Sequence, residues 1–229
     1  MERAFDSKFE GAIGGFQKTD SWTLRIFFVV ASAVMIGMAF EVDPWVDGWV
    51  KAWEDTPFLG LAKAVSFLGD FLGVLSIGLL GWGGARWRNL PKLQTLFKAM
   101  ICAAMLSGIC ANVCRCVAGR TRPNAQADAG WYGPGKGVGL REAHQFQAFP
   151  SAHTAVVAGF LAPVVIASSR RGSRLRAIGL SVVACGGIAL MAWARVWLGA
   201  HHLSDVLAAV ILGVSVAVAV CRNPDQRAG

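Results

Sequence analysis

Residues 177–205 read AIGLSVVACGGIALMAWARVWLGAHHLSD. Up to Ala194 the stretch contains no Asp, Glu, Lys or Arg. At a rise of about 1.5 Å per residue, such a run is long enough to cross a hydrocarbon core as a helix. Arg195, His201, His202 and Asp205 then arrive together, where the apolar run ends and the next begins. The reading is therefore two membrane helices, 177–198 and 203–221, with a polar cluster at their shared end.

The same pattern extends outward. Further apolar runs cover 23–40, a second span that starts near 57 or 69 and ends at 85, then 95–118 and 151–168. Of the 229 residues 55% are hydrophobic, and mean hydropathy is +0.49. A soluble domain of this length rarely carries so many long apolar runs. The expected fold is all-α: an integral membrane bundle of six transmembrane helices, forming a single domain over 1–229 with no internal repeat. Residues 41–56 are acidic, and Trp45, Trp49 and Trp53 recur there at every fourth position. Tryptophan favours the membrane boundary, so this segment is expected as an interfacial helix after the first span. The first 22 residues are polar and mixed in charge, so no cleavable signal peptide is expected.

Charge sets the expected orientation. Arg86, Arg88, Lys92 and Lys98 follow the second span, and Arg170, Arg171, Arg174 and Arg176 follow the fourth, with no acid among either group. Both short loops belong on the cytoplasmic side, and with them both termini. The segments 41–56, 119–149 and 199–203 then face outward. The formal net charge of +8 is explained by this topology. No basic stripe with interleaved aromatics points to nucleic acid. The six cysteines lack zinc spacing and read as small helix-packing residues, so no metal site is expected.

Three polar clusters converge on the outer side. The first is Arg115, Arg120 and Arg122, followed by Pro123. Arg115 and Arg122 are seven apart, so a continuing helix would put both on one face, as a fork for an anion with several oxygens. Snorkelling at a helix end is the competing explanation. The second is Pro150-Ser151-Ala152-His153. Ser151 reads as an N-cap, leaving backbone N–H groups free for a phosphate, with His153 in the first turn. The third runs from Arg195 to Asp205. On a helix His201 and Asp205, four apart, share a face, and the carboxylate would accept the Nδ1 proton and leave Nε2 free to attack. Asp70 interrupts the second span and is expected at a rim or facing a polar cavity.

Taken in order, these clusters resemble the signature of the type 2 phosphatidic acid phosphatase family, whose superfamily includes vanadium haloperoxidases. That signature is a basic residue, six positions and Arg-Pro; then Pro-Ser-Gly-His; then Ser-Arg, five positions, His, three positions and Asp. Here the three parts are Arg115 to Arg122-Pro123, Pro150-Ser151-Ala152-His153, and Ala194-Arg195 to His201 to Asp205 (segments 115–123, 150–153 and 194–205). Arg115 stands for the usual Lys, Ala152 for Gly and Ala194 for Ser.

The resemblance implies His201 as a nucleophile that forms a phosphohistidine, Asp205 as its orienting partner, and His153 as acid and then base. It also implies Arg115, Arg122, Ser151, Ala152 and Arg195 as phosphate-binding residues. His202 and His144 receive no role. The expected function is a metal- and cofactor-independent phosphatase on a membrane lipid. Candidate substrates are polyprenyl diphosphate, phosphatidylglycerol phosphate, phosphatidic acid and lipid A. A phosphotransferase on the same site and an anion transporter are the alternatives. The expected location is a bacterial inner membrane, with the site on the periplasmic face. The sequence carries no indication of oligomeric state.

Overall fold

The computed structural model describes residues 21–53, 56–138, 143–170 and 173–222. The polar N-terminal segment, Glu54, Asp55 and Arg171 lie outside the described residues. The helices are α1 (Ser21–Ala52), α2 (Phe58–Leu68), α3 (Phe71–Trp87), α4 (Pro91–Ala118), the single turn α5 (Pro134–Gly137), α6 (Ala152–Arg170), α7 (Arg174–Trp197) and α8 (Leu203–Val220), with a 3₁₀ turn at Ala143–Phe146. No strand occurs among the described residues. The chain forms two compact units, Met1–Met38 and Ala39–Gly229, and the core and the site both lie within the second.

Length and composition allow Ile26–Ala52, α4, α7 and α8 to cross a membrane. α2 and α3, bent by 59°, make a fifth span if counted as one. The segment Ala152–Ser168 of α6 is apolar but shorter. The expected count of six is thus not reached by this measure. The outward faces are apolar: Phe67 is 80% exposed, Leu80 77% and Val183 74%. Contiguous exposed apolar faces of this kind are stable against lipid rather than water. The protein is an integral membrane protein.

α6 is the hub, packing against α4, α7 and α8. Between membrane helices apolar burial gives little net drive, so close packing and hydrogen bonds must supply cohesion. Small residues serve that need: Ala111, Ala152, Ala155 and Ala209 form one buried cluster. Gly213 of α8 faces α6 so closely that a Cβ there would lie 2.7 Å from the Ala155 carbonyl oxygen. Around this seam Val156, Val157 and Phe160 of α6 pack with Met100, Ile188 and Met191.

One expected element differs. Residues 41–52 do not form a separate interfacial helix but continue α1 through Pro44. The physical reason is that the acids on this stretch have partners inside the protein. Asp43 is buried and bonded to Arg120 and Ser204, and Asp47 is bonded to His202.

The 119–149 connection is also more ordered than its Gly and Pro content suggests. Gly119 ends α4 in the left-handed region, φ +61, where a Cβ would collide with Gly133. The returning chain is tied by Thr121 N–H to the Gly130 carbonyl, Arg122 N–H to the Gln145 carbonyl and Ala148 N–H to the Arg120 carbonyl. Asn124 N–H reaches the Gly199 carbonyl at 3.2 Å, joining this connection to the one between α7 and α8.

Candidate active site

α8 begins at Leu203, so His201 lies just before the helix, in a turn opened by Gly199 at φ +59. His201 and Asp205 are therefore not two positions on one helical face. The His201 Nδ1–H donates to the Ala148 carbonyl at 2.7 Å, while Asp205 Oδ2 stands 3.7 Å from the same nitrogen. A carbonyl can only accept, so the proton is fixed on Nδ1 and the lone pair on Nε2. This corrects the expectation that Asp205 accepts that proton. Its carboxylate reaches His201 as a charge, and its Oδ2 accepts the backbone N–H of His202 at 2.8 Å, as an acid in the first turn of a helix does.

His201 is fully buried, and burial holds its imidazole down at a pKa of about 4. Asp205 opposes the shift, while Arg195 and Arg122 add to it. The ring is thus neutral at ordinary pH, the state a nitrogen nucleophile requires.

His202 also has a structural place, contrary to its assignment of no role. Its Nδ1 faces Asp47 Oδ2 at 2.7 Å and its Nε2 faces the Thr121 carbonyl at 3.0 Å. With acceptors on both sides the ring is satisfied only as imidazolium. Burial alone would lower its pKa, but the Asp47 hydrogen bond and the Asp205 charge outweigh it and raise the value above 6.5.

The arginines divide into two kinds. Arg120 is buried and neutralised, bonded to Asp43 at 2.8 Å, to Asp205 at 2.5 Å and to Ser204 Oγ at 2.6 Å, with Phe40 and Trp131 flanking its guanidinium. It is a strut that ties the Asp205 helix to the Asp43 segment of α1. Arg115, Arg122 and Arg195 have no carboxylate partner among the described residues, and each has a buried Nε without a hydrogen-bond partner. Arg122 feels Arg115, and Arg195 feels both. Burial first, then Arg115, lowers the Arg122 pKa, with Asp205 opposing.

Three like charges with unspent donors form a standing demand for an anion. Helix continuity does not create this cluster, since α4 stops at Ala118 and Arg122 sits in the loop. Arg195 is aimed by one hydrogen bond, Nη1 to Ser66 Oγ at 2.6 Å.

Ser151 and Ala152 are buried at the start of α6, and the Ser151 hydroxyl accepts from Thr154 Oγ1 at 3.1 Å. Ser151 N–H donates to the Asp205 carbonyl at 3.2 Å, which ties the α6 entrance to α8. His153 lies one residue further on, within reach of the charges of Arg195, His201 and Arg115. Its Nε2 stands 3.2 Å from Asp70 Oδ1. Asp70, His153, Arg115 and Asn112 line a cavity of about 320 Å³, as expected of an acid at a polar rim.

The sequence patterns assigned no role to Arg120, Asp43, Asp47 or Ser204. The signal that could have found the acids was two carboxylates four apart at the end of an apolar helix. That pattern reads equally well as a solvated surface.

With this geometry in hand the class is defined. The family model of the PAP2 superfamily matches residues 97–228, and the chain belongs to that superfamily. It is 29% identical over 197 residues to a lipid A 1-phosphatase of Rhizobium johnstonii, covering 81% of this chain and 74% of that protein. Its fold is similar to the crystal structure of a transmembrane PAP2 type phosphatidylglycerolphosphate phosphatase from Bacillus subtilis. The TM-score is 0.59 at 17% identity, over 90% of this chain and 96% of that one.

Proposed function

We propose that the chain is a metal-independent lipid phosphatase that removes phosphate through a phosphohistidine on His201. What carries the reading is the pairing of two features. One is a nucleophile whose Nδ1 proton is held by Ala148. The other is three guanidiniums with unpaired buried donors. Phosphoryl transfer needs positioning and charge stabilisation above all, and both are supplied.

The chemistry balances as follows. The Nε2 lone pair of His201 attacks phosphorus and the bond to the ester oxygen breaks. That oxygen leaves with a proton from His153. The phosphorylated ring, with both nitrogens substituted, carries positive charge, which the Asp205 carboxylate at 3.7 Å offsets. Water then attacks phosphorus, giving a proton to His153, and the P–N bond breaks to restore neutral His201. Arg115, Arg122 and Arg195, with Ser151 and Ala152 at the helix start, hold the phosphoryl oxygens.

Membership of the PAP2 superfamily and the lipid A 1-phosphatase relative support a lipid substrate. Lys92 and Arg115 lie at opposite ends of α4, which supports a reading with the basic loop before α4 and the site on opposite sides of the membrane. By the positive-inside rule this reading turns the site outward, and the bacterial relatives support a bacterial inner membrane.

The test is phosphate release from a panel of lipid phosphates, including lipid A, by purified protein in detergent with EDTA. His201→Ala and His153→Ala should abolish release. Activity retained in His201→Ala would remove the phosphohistidine, and EDTA sensitivity would remove metal independence.

A further inference from the structure

Asp70 occupies the break between α2 and α3, at the N-cap position of α3. An aspartate there ordinarily accepts a backbone N–H from the first turn. This one makes no side-chain cap hydrogen bond. Its carboxylate turns instead to His153 Nε2, at 3.2 Å. The side chain is half exposed, and it opens onto the 320 Å³ cavity that also holds Arg115 and Asn112 and continues over apolar Met105 and Val156. The acid has thus given up a local bond and faces both a catalytic histidine and an open space.

We propose that Asp70 is the positioning partner of His153, and that its charge makes the site selective for phosphomonoesters over diphosphates. This rests on the lipid-phosphatase reading above.

The first part follows from the ion-pair contact of 3.2 Å. A carboxylate held against Nε2 keeps a proton there and leaves the other ring nitrogen to exchange its proton with the leaving oxygen and then with water. The second part follows from charge. The leaving group must lie within hydrogen-bond reach of His153, and so on the Asp70 side of the phosphoryl group. A monoester departs as a neutral alcohol once protonated. A diphosphate releases a phosphate-bearing anion, which would stand across the His153 ring from the Asp70 carboxylate, charge facing like charge. The three arginines hold the transferred group, while the leaving side carries the negative charge. Met105 and Val156 extend the cavity with an apolar wall suited to the hydrocarbon part of an alcohol.

The experiment compares dioctanoyl phosphatidate with farnesyl diphosphate in detergent, for the unaltered protein and for Asp70→Asn, Asp70→Ser and Asp70→Glu. Serine keeps a capping group for α3 without the charge, which separates folding from chemistry. The unaltered protein should prefer the monoester by about tenfold or more in kcat/KM, the scale expected for a like charge brought near a developing anion. Asn and Ser should lower kcat on the monoester by about 10²-fold, with KM little changed. They should also narrow the preference and move the His153 limb of the pH–rate profile to lower pH, because a carboxylate favours the protonated ring. Glu should recover most of the rate.

Equal or better use of the diphosphate by the unaltered protein overturns the selectivity. Folded Asn and Ser variants that keep kcat, or that lose it with the limb and the preference unmoved, overturn the positioning role. Release from neither substrate, nor from lipid A assayed beside them, overturns the lipid-phosphatase reading and this inference with it; release from lipid A alone overturns the selectivity argued here.

Discussion

Asp43 Oδ1 accepts the backbone N–H of Ser204 at 2.9 Å, so a carboxylate from the first helix caps the helix that carries Asp205. Its other oxygen binds Arg120, which binds Asp205 in turn. Asp43→Ala leaves a buried guanidinium half-paired and a helix N–H bare. It should cost about 3–5 kcal/mol, the range for breaking a buried ion pair. Thermal unfolding in detergent measures this, and kcat should fall with it as the start of α8 loosens. An unchanged melting temperature would show that the pair contributes nothing.

The two neighbouring histidines give opposite dependences on pH. His201 is held at about 4 when folded, against 6.5 when free. Between those values the unfolded chain takes a proton that the folded chain refuses, so stability falls as pH drops from 6.5 toward 4. His202 is raised above 6.5. Its contribution is complete below 6.5 and is lost as pH rises through the raised value. Melting temperature against pH should form a dome. His201→Gln should flatten the acid side and His202→Gln the alkaline side. A profile unaffected by either substitution would contradict the assigned charge states.

The arginines should not tolerate lysine equally. Arg115 stands where the resembled signature has Lys, so Arg115→Lys should keep most activity. Arg122 is aimed from the loop by its own N–H bond to Gln145, and a point charge cannot replace its fork. Arg122→Lys should lower kcat/KM by about 10²-fold, the scale for one lost donor to transition-state charge. Steady-state kinetics on one lipid phosphate, and inhibition by orthovanadate as a phosphoryl mimic, check both.

Gly119 should resist any side chain. Alanine there pays for the left-handed conformation, about 1–2 kcal/mol, and adds a clash with the Gly133 backbone. Arg120 and Arg122 follow directly, so Gly119→Ala should lower both melting temperature and kcat. A variant that melts and turns over normally would show that the 119–133 crossing is adaptable.

The parts of this protein legible in sequence were those with strong local signals. Apolar length marks α4, α7 and α8, and fixed spacings mark the three motif segments. What stayed hidden was set by tertiary partners. Asp43 and Asp47 look like surface charge until Arg120 and His202 are seen beside them. The Ala148 carbonyl has no side-chain signature, yet it fixes the His201 tautomer. The i,i+4 argument for His201 and Asp205 brought the right residues together for the wrong reason. They meet because the chain turns at Gly199 before α8 starts, not because a helix runs through both.

The Asp43 network also bears on how the protein is made. Asp43 is synthesised 77 residues ahead of Arg120 and 161 ahead of Ser204. Until those segments arrive, the growing chain holds a carboxylate at its first helix without the partners that let it be buried. The proposed nucleophile, His201, arrives in the same late stretch. Seating of Asp43 on the start of α8 and assembly of the proposed site therefore depend on the same late segment. A chain arrested before α8 would lack His201 and would leave the Asp47 carboxylate without His202, an unpaired charge by which it could be recognised as unfinished.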